Sequence, residues 1–309
     1  MQHQNEIDMS RRSLLATLGA SAMIAPNWVL GKEKRVEFKL DYMLASCMYG
    51  TLDVRECIAQ VSKIGATCID LWPPSHGDQR NQIDSIGHNH YLRACVAADV
   101  KPQMTTRYDL GPFGLSDEIE VVKQLGGKMI VCGSSRNSEG SLKQQVGEFI
   151  EKMRPTVAIA EEAGVIIAIK NHSNALINSP DSLKYFADMN PSDNLGIALA
   201  PYHLPQNSQV ISKLIEHCNK SIVHFYAWEH GLGCHRPMPK EHELMQLPGF
   251  GTLDFTPILR ALRDINYHGL TEIFMHPTPR GIPIMPSISE TNGVINKSRK
   301  YLARCIQRM

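Results

Sequence analysis

No excess of charge of either sign marks this sequence: 32 lysines and arginines stand against 31 aspartates and glutamates. No basic run is interleaved with aromatics either, which argues against a nucleic-acid partner or an anionic membrane surface. Long hydrophobic runs are missing too, and past the N-terminal segment nothing approaches the ~20 apolar residues needed to cross a bilayer. No two cysteines have the CxxC spacing of a redox or zinc motif. No glycine-rich turn follows an early strand, as a dinucleotide-binding open sheet would require; the second apolar run ends in Leu71-Trp72-Pro73-Pro74 instead. With 43% hydrophobic and 20% charged residues, the 309-residue chain is neither disordered nor short of core.

What is present begins at the N-terminus. Ser10-Arg11-Arg12-Ser13-Leu14-Leu15 leads into small and apolar residues up to Ile24, a pattern similar to a twin-arginine export signal, with Ala20-Ser21-Ala22 as a small-residue cleavage site. This reading assigns residues 1–30 to a signal and residues 31–309 to one mature domain, soluble and periplasmic or otherwise exported. A chain that folds in the cytoplasm before export does not form disulfides early. Its 8 cysteines, mostly inside predicted strands and helices, are expected to be buried free thiols.

The chain is organised around Val165-Ile166-Ile167-Ala168-Ile169-Lys170-Asn171-His172. Its apolar part reads as a strand buried on both faces, and it stops on a cation, an amide and an imidazole. Seven further apolar runs alternate with helical patterns: 38–45, 67–72, 100–105, 128–132, 195–200, 222–226 and 269–274. Asp53 and Asp254 stand as helix N-caps, and Ser179-Pro180-Asp181 opens another helix. Eight strand–helix alternations without a break in composition predict an α/β fold, a single (β/α)8 TIM barrel. In such a barrel the residues at the C-terminal strand ends carry the function, so Lys170, Asn171 and His172 become candidates.

Near the last strand the segments Pro248-Gly249-Phe250-Gly251-Thr252-Leu253-Asp254-Phe255, Tyr267-His268-Gly269 and Thr271-Glu272 resemble the xylose-isomerase-like barrels, the superfamily of sugar isomerases and epimerases that also holds endonuclease IV. Strand order and spacing extend the resemblance from about residue 38 to the end. It implies a divalent metal held by a glutamate after strand five, an aspartate after strand six, a histidine after strand seven and a glutamate after strand eight. It also implies two glutamates exchanging protons on opposite faces of a metal-bound enediolate. Here those positions hold Lys170, Ala200, Tyr226 and Glu272; only the last is kept, although Asn171, His172 and His203 of the flanking motifs remain. One carboxylate does not replace four ligands, and an ammonium in the place of one repels the ion, so the inherited site reads as dismantled and no cofactor is expected.

The expected function is proton transfer on a small carbohydrate, a sugar or keto-sugar, with Glu272, Lys170 and His203 as catalytic candidates. Lys170 is a general base or Schiff-base amine on one reading, and on the other a structural cation paired with Glu272 across the barrel mouth. His172, Asn171, Tyr226, Trp228, Trp72 and Arg280 are candidate substrate contacts, the tryptophans by stacking on a sugar ring and the arginine by holding a carboxylate or phosphate. A non-catalytic sugar-binding barrel is one alternative. Another is a relocated zinc, manganese or cobalt site built from His224, His230, His235 and His276, although no pair among them has a strong zinc spacing. The sequence carries no mark of an oligomeric state.

Overall fold

The structure, a computed structural model, describes residues 38–135 and 139–309, so the twin-arginine segment lies outside the described residues. Eight strands run β1 (Asp41–Ala45), β2 (Cys68–Leu71), β3 (Lys101–Thr106), β4 (Met129–Gly133), β5 (Ile166–Lys170), β6 (Leu195–Leu199), β7 (Ile222–Ala227) and β8 (Leu270–Ile273). They pair in that order, all parallel, and β8 closes on β1 as a complete barrel. Helices cover the outside: α1 (Val54–Ile58), α2 (Gln79–Ile86), α3 (His88–Ala97), α4 (Ser116–Gln124), α5 (Leu142–Ala163), α6 (Pro180–Met189), α7 (Ser208–Cys218), α8 (Lys240–Glu243), α9 (Phe255–Asp264) and α10 (Ile288–Gln307). This is the (β/α)8 barrel expected from the alternation, and it occupies Phe38–Met309.

The local reasons are those of the sequence. Asp53 accepts a hydrogen bond from the Arg55 backbone N–H at 2.8 Å and Asp254 one from Thr256 at 2.9 Å. Such caps stabilise a helix by about 1 kcal/mol each. The segment between β2 and β3 holds two helices, α2 and α3, because Gly87 between them takes φ +85°, which no helix interior holds. The helix begun at Asp53 ends at Ile58 and continues only as a tight turn over Ser62–Ile64. All eight cysteines are buried and unpaired, as expected for a chain that uses them as small apolar residues. Among the described residues no helix is long and apolar enough to cross a membrane.

The Pro248–Phe255 string has a structural cause. The buried Glu229 carboxylate, just past the end of β7, accepts a hydrogen bond from the Leu253 backbone N–H at 2.8 Å. A Cβ on Gly251 would collide with that same carboxylate, so only glycine lets the chain pass. The motif clamps the start of the β7 loop to the segment that leads into α9.

Candidate active site

β5 delivers Lys170 to the barrel mouth at a place with room for it. In the strand ladder its neighbours on either side are Gly133 of β4 and Ala198 of β6, so no bulky side chain competes for the space. The lysine is only 2% exposed. Its Nζ lies 4.6 Å from the ring of Trp228, 4.7 Å from Tyr226, 5.0 Å from Phe274, 5.4 Å from Tyr108 and 5.8 Å from Trp72. Ring faces attract a cation, but they replace water poorly. Burial therefore dominates and pushes the amine down to about 7, with Glu272 pulling the other way and Arg280 adding to the depression.

Above the lysine opens a cavity of about 250 Å³, lined by His76, Tyr108, Gly133, Ser134, Lys170, His172, Ala175, His276 and Arg280. These residues come from the segments that follow β2, β3, β4, β5 and β8, at the C-terminal face of the barrel, where the sheet places its ligands. Arg280 Nη1 donates to His76 Nε2 at 2.8 Å. Burial, then the charges of Arg280 and Lys170, push His76 down to about 3, and burial followed by Lys170 pushes His172 down to about 4. The imidazoles of the wall are neutral at pH 7. Among the described residues no carboxylate lines this cavity.

Below the lysine lies a second, closed layer. Glu272 is 0% exposed, and its Oε2 is 3.3 Å from His224 Nε2. Asp70 is equally buried and accepts a hydrogen bond from Thr106 Oγ1 at 2.7 Å. Burial first, then the negative charge of Glu272, pushes Asp70 well above the usual carboxylate range. Burial pushes Glu272 up to about 8. One oxygen of each carboxyl, Asp70 Oδ1 and Glu272 Oε1, has no ordinary donor. Two such groups cannot both ionise in a dry site, so the pair keeps a proton at neutral pH.

This arrangement sorts the predicted residues. Lys170, His172 and Arg280 reach the cavity, and His276, expected only as a metal ligand, is in its wall. Glu272 and Tyr226 lie beneath Lys170 and outside the lining. The ion pair expected between Lys170 and Glu272 is not formed: among the described residues no carboxylate is within pairing distance of Nζ, and Glu272 turns to His224. The two are coupled through space only. Asn171 is spent on the fold, its amide bonding the Ala200 backbone N–H at 2.8 Å and carbonyl at 3.0 Å. Trp72 stacks on Phe274 at 5.0 Å and Trp228 on Tyr202 at 3.9 Å, both fully buried, so their rings wall in the lysine and leave no free face for a sugar. His203 packs against His172 with ring centroids 4.3 Å apart.

The alternative metal set is dispersed. His224 sits in the closed layer, His230 bonds the Tyr202 carbonyl, and His235 is exposed. Among the described residues no three His, Cys, Asp or Glu side chains are grouped to hold a metal ion. At the four positions implied by the resemblance, the donor set is an amine, a methyl, a phenol and a single carboxyl, and this does not fit a divalent ion.

Asp70, Tyr108 and His76 escaped the sequence reading. Asp70 left a signal: a carboxylate in the last turn of an apolar run, Cys68-Ile69-Asp70-Leu71, faces either water or a barrel interior. Tyr108 and His76 stand in loops whose course only the closed barrel fixes.

A model of the xylose isomerase-like TIM barrel family matches residues 58–305. Among solved structures, D-psicose 3-epimerase from Clostridium cellulolyticum H10, crystallised with D-tagatose, superposes with a TM-score of 0.67 at 14% identity, covering 86% of this chain and 99% of that one. The IOLI protein with a bound zinc atom gives 0.65 at 15%, with 87% and 99% covered. The 3-keto-D-glucoside 4-epimerase YcjR from E. coli gives 0.62 at 14%, with 87% and 100% covered. At these identities the likeness is one of fold. No curated protein sequence is significantly similar to this chain.

Proposed function

The chain belongs to the xylose isomerase-like TIM barrel family, and on that premise we propose that it binds a small sugar or keto-sugar above Lys170 and moves a proton on the carbon beside its carbonyl. The observation that carries this reading is Lys170 itself. A single amine forms the floor of the cavity at the end of β5, with the proton-holding pair Asp70 and Glu272 behind it. Enolising a sugar needs an electrophile at the oxygen and a base at the carbon. As a free amine Lys170 takes the proton from carbon and becomes the ammonium, while the Arg280 guanidinium of the same lining would supply the electrophile at the carbonyl oxygen. Glu272 does not reach substrate; it sets the charge state of Lys170 and is a positioning residue. The cavity, at about 250 Å³ a little below the usual range of ligand pockets, leaves room for no more than a small sugar. The activities of D-psicose 3-epimerase and 3-keto-D-glucoside 4-epimerase, proteins of the same fold, point to the same class of substrate.

The test is exchange of the sugar's C–H hydrogens in D2O, followed by NMR over a panel of ketoses and keto-glycosides. Exchange is expected with the wild type and lost in Lys170→Met. In Glu272→Gln it persists with a displaced pH profile. Full exchange by Lys170→Met sinks the assignment. Stoichiometric zinc, manganese or cobalt in the purified protein would likewise overturn a proton transfer carried by side chains alone. One observation favours a non-catalytic sugar-binding barrel: the seclusion of Glu272 below the cavity. That reading expects sugar to bind without any exchange.

A further inference from the structure

We propose that Lys170 is a covalent nucleophile, whose amine condenses with the carbonyl carbon of an aldose or ketose in the cavity to form an imine. The proposal rests on the reading that this cavity receives a sugar carbonyl, and deepens it by naming the bond.

Four observations converge on it. Lys170 is almost wholly buried yet lines a cavity open to small molecules. Among the described residues its Nζ has no hydrogen-bond or ion-pair partner, so its lone pair is not engaged when the amine is neutral. A lysine kept to neutralise Glu272 would touch it, but His224 takes that place. The competing nucleophile of the wall, Ser134 Oγ, already accepts from the Ile177 N–H at 2.9 Å and donates to the Ser135 carbonyl at 3.3 Å.

The five rings suit the product as well as the reactant. Forming the C=N bond releases the carbonyl oxygen as water: the amine gives up both hydrogens, and no oxidant or reductant takes part. A cage that excludes water favours that condensation. Protonated by one further proton, the iminium carries the same single positive charge as the ammonium, and the same ring faces hold it. An iminium also draws electrons from the neighbouring C–H bond, the task a metal-bound carbonyl performs elsewhere. The depressed basicity of Lys170 adds a nucleophilic fraction of free amine at neutral pH.

The experiment uses the full chain with dihydroxyacetone or D-fructose and sodium cyanoborohydride, whose hydride converts an imine to a stable secondary amine. Intact-mass measurement and peptide mapping read the product. The expected result is one adduct, heavier by the sugar plus two hydrogens less one water, on the peptide that carries Lys170. It is lost in Lys170→Met and Lys170→Arg. No adduct, or adducts spread over surface lysines and undiminished in both variants, overturns the proposal. Mapping on the wild type decides the case even if a variant fails to fold. Exchange in D2O without an adduct would leave the proton-transfer reading standing and remove the covalent one. An adduct without exchange would do the reverse.

Discussion

Replacing Lys170 with methionine is expected to stabilise the protein at pH 6, because the wild type holds an ammonium there at a loss. The amine falls from 10.5 to about 7 on folding, mainly through burial. At about 1.4 kcal/mol per pKa unit, a proton kept on it at pH 6 costs roughly 5 kcal/mol relative to the unfolded chain. An apolar side chain of similar length avoids that cost, so a gain of a few kcal/mol is expected. This differs from breaking a buried ion pair. With Glu272 pushed up to about 8, its carboxyl keeps its proton at pH 6, and no naked carboxylate is left behind. The sign of the pH dependence follows: the unfolded chain binds the Lys170 proton more tightly, so wild-type stability from this group rises between pH 7 and 10.5. The advantage of the variant shrinks to nothing over that interval. Urea unfolding of both proteins at pH 6, 8 and 10 measures it. A variant less stable than the wild type at pH 6 would refute the reasoning, since the cage would then hold the ammonium better than water does.

Glu272 has the opposite dependence. Its folded value lies above its unfolded one, so the stability it contributes is complete below pH 4.5 and is lost as pH rises to about 8. Glu272→Gln is expected to flatten the decline in the urea midpoint across that window, with Asp70 leaving a residual slope of the same sign. Glu118→Ala tests the frame of the site. Glu118 accepts from Arg80 Nε and Nη2, both at 2.8 Å, and also pairs with Arg107. Removing it leaves a nearly buried guanidinium with only the exposed Asp84 as partner. A loss of about 3 kcal/mol is expected in the same unfolding assay.

The barrel was legible in the sequence because each strand between helices is an apolar run with a turn or cap at its end. A parallel strand buried on both faces leaves that signature whatever its neighbours are. The breaks at Gly87 and Ile58 were harder, since the residues on either side of both keep a helical pattern. The site was legible only along single strands. Lys170 could be placed at a strand end from its own run, but the residue opposite could not. Glu272 was expected to meet it across the mouth, whereas the register sets Tyr226 beside Glu272 and brings His224 within 3.3 Å of it. The tryptophans failed for the same reason. Which face of Trp72 or Trp228 is free depends on Phe274 and Tyr202, far away in sequence.

The electrostatics of the two layers explain how a cation stands where the family resemblance implies a metal ligand. A divalent ion would bring two positive charges to several ionised carboxylates; this barrel brings at most one, on Lys170, to a carboxyl pair that keeps a proton. The sum of charges is small in either case, as a water-poor interior demands. Asp70 and Glu272 are therefore tolerable without an ion because protonation does what a metal would do for them, and Lys170 is tolerable because its basicity falls into the range where it sheds its proton. Both groups are left near the point of exchange at neutral pH, one able to give a proton and the other able to take one. A site kept merely for packing would settle these charges by substituting apolar residues, which costs nothing in a core. An unpaired amine on the floor of a cavity, over carboxyls that still hold a proton, is the charge state from which the proposed proton transfer or imine formation on a bound carbonyl would start.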